Sequence, residues 1–226
     1  MTDEDPGIVT DHAFRMELAP RGKRPDIATI NGLIASVRRV PGVVAAGGLE
    51  HGFLQQIFNG SVFDAPPGVD GREIESLPVS AGLFEAAGLH AIEGRLPSDD
   101  ELERGSPVIA VSKRAAERYW PGQPALGQSL TYAGRPFTVV GVVQEIRYRS
   151  LDVEPEGEVY WPLAADAEPY LWNVYIRLAP GADGAMASIL RGLAADFPAF
   201  EVFNLQTAGN IKRVICGEAV GTVVGG

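Results

Sequence analysis

Two distant segments of the chain share one pattern of hydrophobic and polar positions. Phe14–Pro20 and Val174–Pro180 place apolar residues at every second position and end in proline, which is typical of β-strands. An amphipathic run at helical spacing follows each of them. A second short apolar run, Val43–Leu49 or Phe200–Leu205, completes each unit. The pattern predicts strand–helix–strand twice, and right-handed crossovers predict that each unit is a parallel βαβ unit.

The apolar stripes of the two predicted helices define the faces that should be buried against one sheet. They consist of Ile27, Ile30, Leu33, Ile34, Val37 and Val40 in the first helix, and Met186, Ile189, Leu190, Leu193 and Phe197 in the second. Both helices are expected on the same face of a sheet formed by both units. A long and different segment separates the two units, and it is therefore expected to form a second lobe.

Turn residues divide the intervening segment into short elements. Its apolar runs and turn signals predict five strands or hairpin arms and two short helices, the second capped by Ser112. The predicted elements are Glu73–Ser80, Ala81–Leu89, Pro107–Val111, Lys113–Trp120, the hairpin Leu130–Tyr132 and Phe137–Ile146 around Ala133-Gly134, and Glu158–Leu163.

These elements predict an α+β fold in which two βαβ-like units form one lobe and a mixed α/β lobe is inserted between them. The base lobe comprises residues 8–64 and 166–207, and the inserted lobe comprises residues 65–165. Residues 208–226 form a tail with Gly217, Gly221 and Gly225 at four-residue spacing. This spacing resembles packed membrane helices. The tail is expected to be a truncated approach to a membrane helix or a flexible end.

Composition and charge narrow the class of protein. The chain has 226 residues, of which 46% are hydrophobic and 21% charged, as in soluble globular proteins. Its formal net charge is −10, from 29 acidic and 19 basic residues, and the sequence contains no cluster of basic residues. Nucleic acid is therefore not an expected partner, since binding phosphates requires a concentrated basic face.

Reactive groups and metal ligands are sparse. Cys216 is the single cysteine, which excludes an intrachain disulfide, and the three histidines have no metal-binding or catalytic spacing. The chain has no G-x-S-x-G elbow and no Walker A sequence. The acidic run Asp99–Glu103 lacks the glycine of a calcium loop and is read as a solvated loop or a helix start. We therefore expect no enzyme activity, no cofactor and no metal; scattered carboxylates leave a hydrolase as an alternative without a supporting constellation.

Two groups of residues are candidates for contact with a partner or a cargo. Arg147, Tyr148 and Arg149 follow the predicted hairpin with alternating charge, which indicates either a solvated strand end or a docking edge. Trp161 and Trp172 flank the return of the chain to the base lobe. They are expected to pack between the lobes, or to form an aromatic wall for a hydrophobic substrate in the cleft between them.

An ordered set of motifs in the inserted lobe resembles the periplasmic core domain of MacB-type ABC transporter permeases, the FtsX-like group. The set comprises Val79-Ser80, Phe84, Gly88-Leu89, Glu93-Gly94-Arg95, Asp99-Asp100, Val108–Ser112, Ala115-Ala116, Tyr119–Gly122, Leu126-Gly127-Gln128 and Phe137–Val143. The resemblance covers about residues 8–207 and is strongest over 79–163. It implies a base lobe similar to the porter subdomains of efflux pumps.

The resemblance also implies a location and partners. Such domains lie at the periplasmic or extracellular face of the bacterial cytoplasmic membrane, between two transmembrane helices of the permease. The implied partners are those helices, a cytoplasmic ABC ATPase, a second permease copy or half, and a periplasmic adaptor. The expected function is non-catalytic coupling of ATP-driven helix motion to export or release of a cargo. The alternative is a small-molecule-binding or sensory domain that uses the interlobe cleft.

Overall fold

A computed structural model of the chain describes residues 7–18, 26–50, 63–69, 74–146, 156–163, 172–182, 184–193, 200–204 and 222–224. Its strands are β1 Ala13–Leu18, β2 Val43–Leu49, β3 Glu75–Val79, β4 Ala91–Gly94, β5 Val108–Ser112, β6 Ser129–Tyr132, β7 Arg135–Val143, β8 Glu158–Pro162, β9 Trp172–Leu178, β10 Phe200–Asn204 and β11 Thr222–Val224. The helices are α1 Ile27–Arg38, α2 Leu83–Ala87, α3 Asp99–Glu103, α4 Lys113–Tyr119 and α5 Gly184–Leu193. The strands form one sheet in the order β11-β10-β1-β9-β2-β3-β8-β5-β7-β4, and β6 pairs with β7.

The two predicted βαβ units are interleaved rather than side by side. Strand β9 lies between β1 and β2, and β1 lies between β9 and β10, with every neighbouring pair antiparallel. The two strands of each unit are thus parallel to one another, but a strand of the other unit separates them. This is the split βαβ arrangement: each unit has parallel strands, as predicted, but they are not adjacent in the sheet. The interleaving replaces parallel pairs with antiparallel ones, which are slightly more stable per residue.

Helices α1 and α5 lie on one face of the base sheet, as their apolar stripes predict. Asp26 caps α1, because its Oδ1 accepts a hydrogen bond from Thr29 N at 2.8 Å. The stripe of α1 packs with Met186 and Ile189 of α5 against alternate side chains of the strands. Those strand residues are Phe14, Met16, Ala46, Val174, Ile176 and Leu178.

The second face of the base sheet is covered by α2, which belongs to the inserted segment. Leu83, Phe84, Ala86 and Ala87 are buried and join one apolar cluster with base residues that include Ala45 and Tyr175. An additional Cβ on Gly47 would lie within 2.5 Å of three backbone atoms of Gly82 and Leu83. The small residues of β2 therefore allow the backbone of α2 to approach the strand directly, which a larger residue would prevent.

The inserted segment continues the sheet of the base lobe. Strand β3 pairs with β2 through one residue pair, Leu49 and Val79, and pairs in parallel with β8 over five residues. Strands β8, β5, β7 and β4 follow, and α4 covers them together with a separate apolar cluster that includes Trp120 and Phe137. The lobe boundaries at 64/65 and 165/166 remain a prediction. Within the tail, Thr222–Val224 pair with β10 as an edge strand.

Candidate functional site

The structure describes only part of the predicted contact surface. Arg147, Tyr148 and Arg149 lie outside the described residues, and Trp172 begins β9 with a side chain that is not described. Trp161 lies on β8 and is 8% exposed. Its ring centroid lies 5.1 Å from that of Tyr132, 5.7 Å from that of Phe63 and 6.4 Å from that of Phe137. Trp161 therefore belongs to the core of the inserted lobe, and a role in binding remains a prediction.

Trp161 also lines a cleft of about 470 Å³ between α1 and the inserted lobe. The base lobe contributes Ile27 and Asn31, and apolar side chains of the inserted lobe include Val79, Phe137 and Leu163. Charged residues Glu103, Arg104 and Arg135 complete the lining. The cleft thus combines an aromatic and aliphatic surface with a few charged groups, as small-molecule sites do.

The two cations of the cleft differ in their partners. Arg104 forms an ion pair with Asp100 at 2.9 Å on its own helical turn. Arg135 donates a hydrogen bond to Gly105 O at 2.9 Å, and its guanidinium carbon lies 5.1 Å from the centre of the Phe137 ring. Among the described residues, no carboxylate forms an ion pair with Arg135.

Two ion pairs, Arg38–Asp99 and Arg177–Glu85, join the base lobe to the inserted segment near α2, and we call them the interlobe clamp. Arg38 Nε donates to Ala46 O at 2.7 Å, and its Nη2 lies 3.9 Å from Asp99 Oδ2. Asp99 Oδ1 accepts from Gly82 N at 2.7 Å. Arg177 and Glu85 form a second ion pair across the lobes at 3.6 Å. Helix α2 is therefore held on the base sheet by apolar packing and by charge pairs around it.

A paired arginine and glutamate fix the loop that leads into α3. Ser98 and Glu101 form a capping box, and Arg95 binds both oxygens of Glu101 at 2.6 and 2.8 Å. The hydrogen bonds from Arg95, followed by those from Ser98, lower the pKa of Glu101 to about 2. The acidic run Asp99–Glu103 is thus a helix start, one of the two interpretations of the sequence.

Sequence reasoning missed a group of buried carboxylates in the inserted lobe. Glu75 and Glu158 are 2% and 1% exposed, and Ser112 beside them is fully buried. Glu145 accepts a hydrogen bond from Arg114 N at 2.8 Å, and burial raises its pKa. The available signal was weak: Glu158 directly precedes the apolar residues of β8, but a charged residue at the start of a strand is usually solvated.

Metal and membrane chemistry receive no support from the described part of the chain. No three histidine, cysteine, aspartate or glutamate side chains are placed there to hold a metal ion. Over the same ranges, none of the helices combines the length and the apolar character needed to cross a bilayer.

The interleaved base sheet with an inserted α/β segment is a fold shared with domains of known structure. The periplasmic region of MacB from Actinobacillus actinomycetemcomitans has a TM-score of 0.67 and 14% identity, over 92% of this chain and 94% of that one. The extracellular domain of the noncanonic ABC-type transporter YknZ from Gram-positive bacteria has a TM-score of 0.60 and 18% identity, over 85% and 100%. A domain of a putative permease from Porphyromonas gingivalis has a TM-score of 0.53 and 16% identity, over 94% and 99%.

Sequence comparison identifies the family. The sequence model of the MacB-like periplasmic core domain matches residues 7–191, so the chain belongs to this family of ABC transporter permease domains. The macrolide export ATP-binding/permease protein MacB of Aggregatibacter actinomycetemcomitans is 29% identical over 62 residues. That match covers 27% of this chain and 10% of the relative, so the chain spans a small part of that protein's length. The family predicted from the motifs is confirmed.

Proposed function

We propose that this domain is a non-catalytic lever that transmits ATP-driven motion of the membrane helices of its permease to an extracytoplasmic cargo. The observation that supports this proposal best is the single sheet that runs through both lobes. The interlobe clamp and the close packing of α2 on β2 add rigidity at the junction. A displacement of the base lobe would therefore carry the inserted lobe with it.

The proposal assigns partners on both sides of the membrane. The base lobe would join the transmembrane helices of its own permease, and a cytoplasmic ABC ATPase would move them. A second permease copy or half would present a matching domain, and a periplasmic adaptor would receive the cargo. The name of the MacB relative suggests a macrolide as a first cargo to test.

The mechanical proposal is tested in the parent permease assembled with its ATPase. Cys216 is first replaced by serine, so that it does not react with a thiol-directed label. One fluorophore is then attached at position 113, which is well exposed on α4, and a second fluorophore is attached to the second permease polypeptide. ATP binding is expected to change the distance between the fluorophores. An equal distance in the nucleotide-free and ATP-bound states would overturn the proposal.

Two adjacent aspartates provide a matched test of the interlobe clamp. Asp99→Ala removes the ion pair with Arg38 across the lobes and a hydrogen bond from Gly82 N within the inserted lobe, whereas Asp100→Ala removes only the ion pair with Arg104. Both changes lie in the first turn of α3, so their effects on the helix dipole are similar. We expect only Asp99→Ala to reduce the ATP-dependent change at position 113. Equal effects of the two variants would show that the clamp does not transmit motion.

The interlobe cleft supports a second candidate function, a small-molecule-binding or sensory role. The supporting observation is the approach of Arg135 to an aromatic surface without a carboxylate partner among the described residues. A thermal-stability screen of the domain with erythromycin and with dodecanoate tests this role. A rise in Tm that Arg135→Gln abolishes and Lys113→Gln preserves would support it. No rise with either compound, or an equal rise in both variants, would count against it.

A further inference from the structure

Three carboxyl groups and one hydroxyl group meet inside the inserted lobe. Glu75 begins β3 and Glu158 begins β8, and the two residues are in register on neighbouring parallel strands. Ser112 ends the adjacent strand β5, and Glu145 follows β7. We call these four residues the carboxyl cluster. It lies where four strands of the inserted lobe come together, so its charge state bears directly on how these strands pack.

The hydrogen bonds of the cluster do not satisfy every carboxylate oxygen of Glu145 and Glu158. Ser112 Oγ accepts from Glu158 N at 3.0 Å and from Ala115 N at 3.3 Å. The same hydroxyl group lowers the pKa of both Glu145 and Glu158, but it has a single hydrogen and can donate it to only one carboxylate oxygen at a time. One buried oxygen of Glu158 has no hydrogen-bond partner in the described part of the chain, and neither has one oxygen of Glu145. At least one acceptor is therefore unsatisfied while both groups are ionised.

Among the described residues, the charged groups around the cluster do not supply a buried cation for Glu158. On helix α4, Arg114 attracts the carboxylate of Glu145 and Glu117 repels it. Arg118 on the same helix pairs with Glu156 at 3.3 Å. Glu158 itself is influenced by Glu145 and Glu75, both of which disfavour a second negative charge. An ionised carboxylate in such a place is strongly destabilised, and a neutral acid is the favoured form.

We propose that Glu158 is a proton-binding site, whose carboxyl group carries a hydrogen in the folded protein at neutral pH and loses it when the packing of β3, β8 and β5 loosens. Ionisation of Glu158 and separation of these strands would then favour one another. The pH of the extracytoplasmic medium would thereby set the rigidity of the inserted lobe. This inference depends on the fold alone and holds whether or not the domain acts as a lever.

The direction in which stability changes with pH follows from the raised pKa of Glu158. Burial, then the charge of Glu145, and then that of Glu75 raise the pKa of Glu158 well above its ordinary value of 4.5. Because the folded pKa exceeds the unfolded one, the contribution to stability is complete below pH 4.5 and is lost as the pH rises through the folded pKa. Over that window the unfolding equilibrium constant rises by up to about tenfold per pH unit for one proton.

Infrared spectroscopy of the whole chain at pH 7 tests the proton directly. The wild-type protein should show the carbonyl stretch of a neutral carboxylic acid, and uniform ¹³C labelling of glutamate should shift this band. Glu158→Gln should remove the band, whereas Glu103→Gln, an exposed change on α3, should preserve it. Absence of the band from the folded wild-type protein would overturn the inference, and this outcome does not depend on any variant folding.

Denaturation at several pH values adds an independent readout. Between pH 5 and pH 8, Glu158→Gln should reduce the dependence of the unfolding constant on pH, because glutamine cannot ionise. Glu103→Gln should keep the wild-type dependence. An unchanged dependence in Glu158→Gln would contradict the assignment even if an acid band is present, since another group would then hold the proton.

Discussion

Substitution of Gly47 by alanine probes the contact through which the inserted segment holds the base lobe. Gly47 lies in β2 with a φ outside the left-handed region, so backbone strain does not oppose the change. The added Cβ would come within 2.5 Å of backbone atoms of Gly82 and Leu83, which no rotamer change can relieve. Helix α2 must therefore move away from β2 and expose part of its buried face.

The magnitude follows from two opposing effects. Overpacking of a tight core costs about 1–3 kcal/mol, and displacement of backbone belongs at the upper end of that range. Loss of glycine freedom in the unfolded chain offsets about 0.4–1 kcal/mol. We expect the free energy of unfolding to fall by about 2–3 kcal/mol, which lowers Tm by about 4–12 °C in a protein of this size.

Gly32→Ala is the matched control for this experiment. Gly32 lies on the exposed side of α1, and a Cβ there would meet no atom within 4 Å. Because alanine favours a helix over glycine by about 1 kcal/mol, this variant should melt about 2–4 °C higher than the wild-type protein. Calorimetry and far-ultraviolet circular dichroism measure both changes. A Gly47→Ala protein that melts at or above the wild-type temperature, while Gly32→Ala behaves as expected, would refute the reasoning.

Four other outcomes can be measured on the isolated chain. Because its folded pKa is about 2, ionised Glu101 should stabilise the fold above pH 4.5 and lose this effect as the pH falls through about 2. Arg95→Gln should raise that pKa in an NMR titration at a cost of less than about 1 kcal/mol, since the ion pair is partly exposed; an unmoved pKa would contradict the pairing. Asn173→Leu should increase the free energy of unfolding by about 1–3 kcal/mol, because the Asn173 amide is buried without a hydrogen bond among the described residues. A lower free energy of unfolding, measured by chemical denaturation, would show that the amide has a hydrogen-bond partner. Trp161→Ala should lower the same quantity by about 3–5 kcal/mol through loss of three aromatic contacts, and a loss below 1 kcal/mol would show that these contacts do not hold the core.

The local sequence pattern was sufficient to predict most helices and strands, because each has a hydrophobic periodicity or a capping residue within its own segment. The stripe of α1 and its Asp26 cap are examples, as is the hairpin at Ala133-Gly134, where both residues adopt positive φ. Strand β4 was missed because its four residues are mostly exposed and have no alternating pattern. Strand β11 was missed because its three residues lie in a tail interpreted from its glycine spacing.

The order of the strands and the buried acids could not be read from the chain. Either a side-by-side or an interleaved pairing satisfies the same alternation in β1 and β9, and only tertiary packing selects one of them. The small residues of β2 indicated a strand, but their reason is the approach of α2 from a distant part of the sequence. Glu75 and Glu158 each look like ordinary strand-end charges until the sheet places them in register.

The junction between the two lobes is narrow where β2 meets β3. A single register pair, Leu49 with Val79, continues the sheet at that point, whereas β3 and β8 are joined over five pairs. Under a pulling force, a short strand pair yields before a long one because fewer hydrogen bonds share the tension. We therefore expect forced unfolding to begin at this seam and to proceed as two events, with the packing of α2 on β2 setting the force of the first.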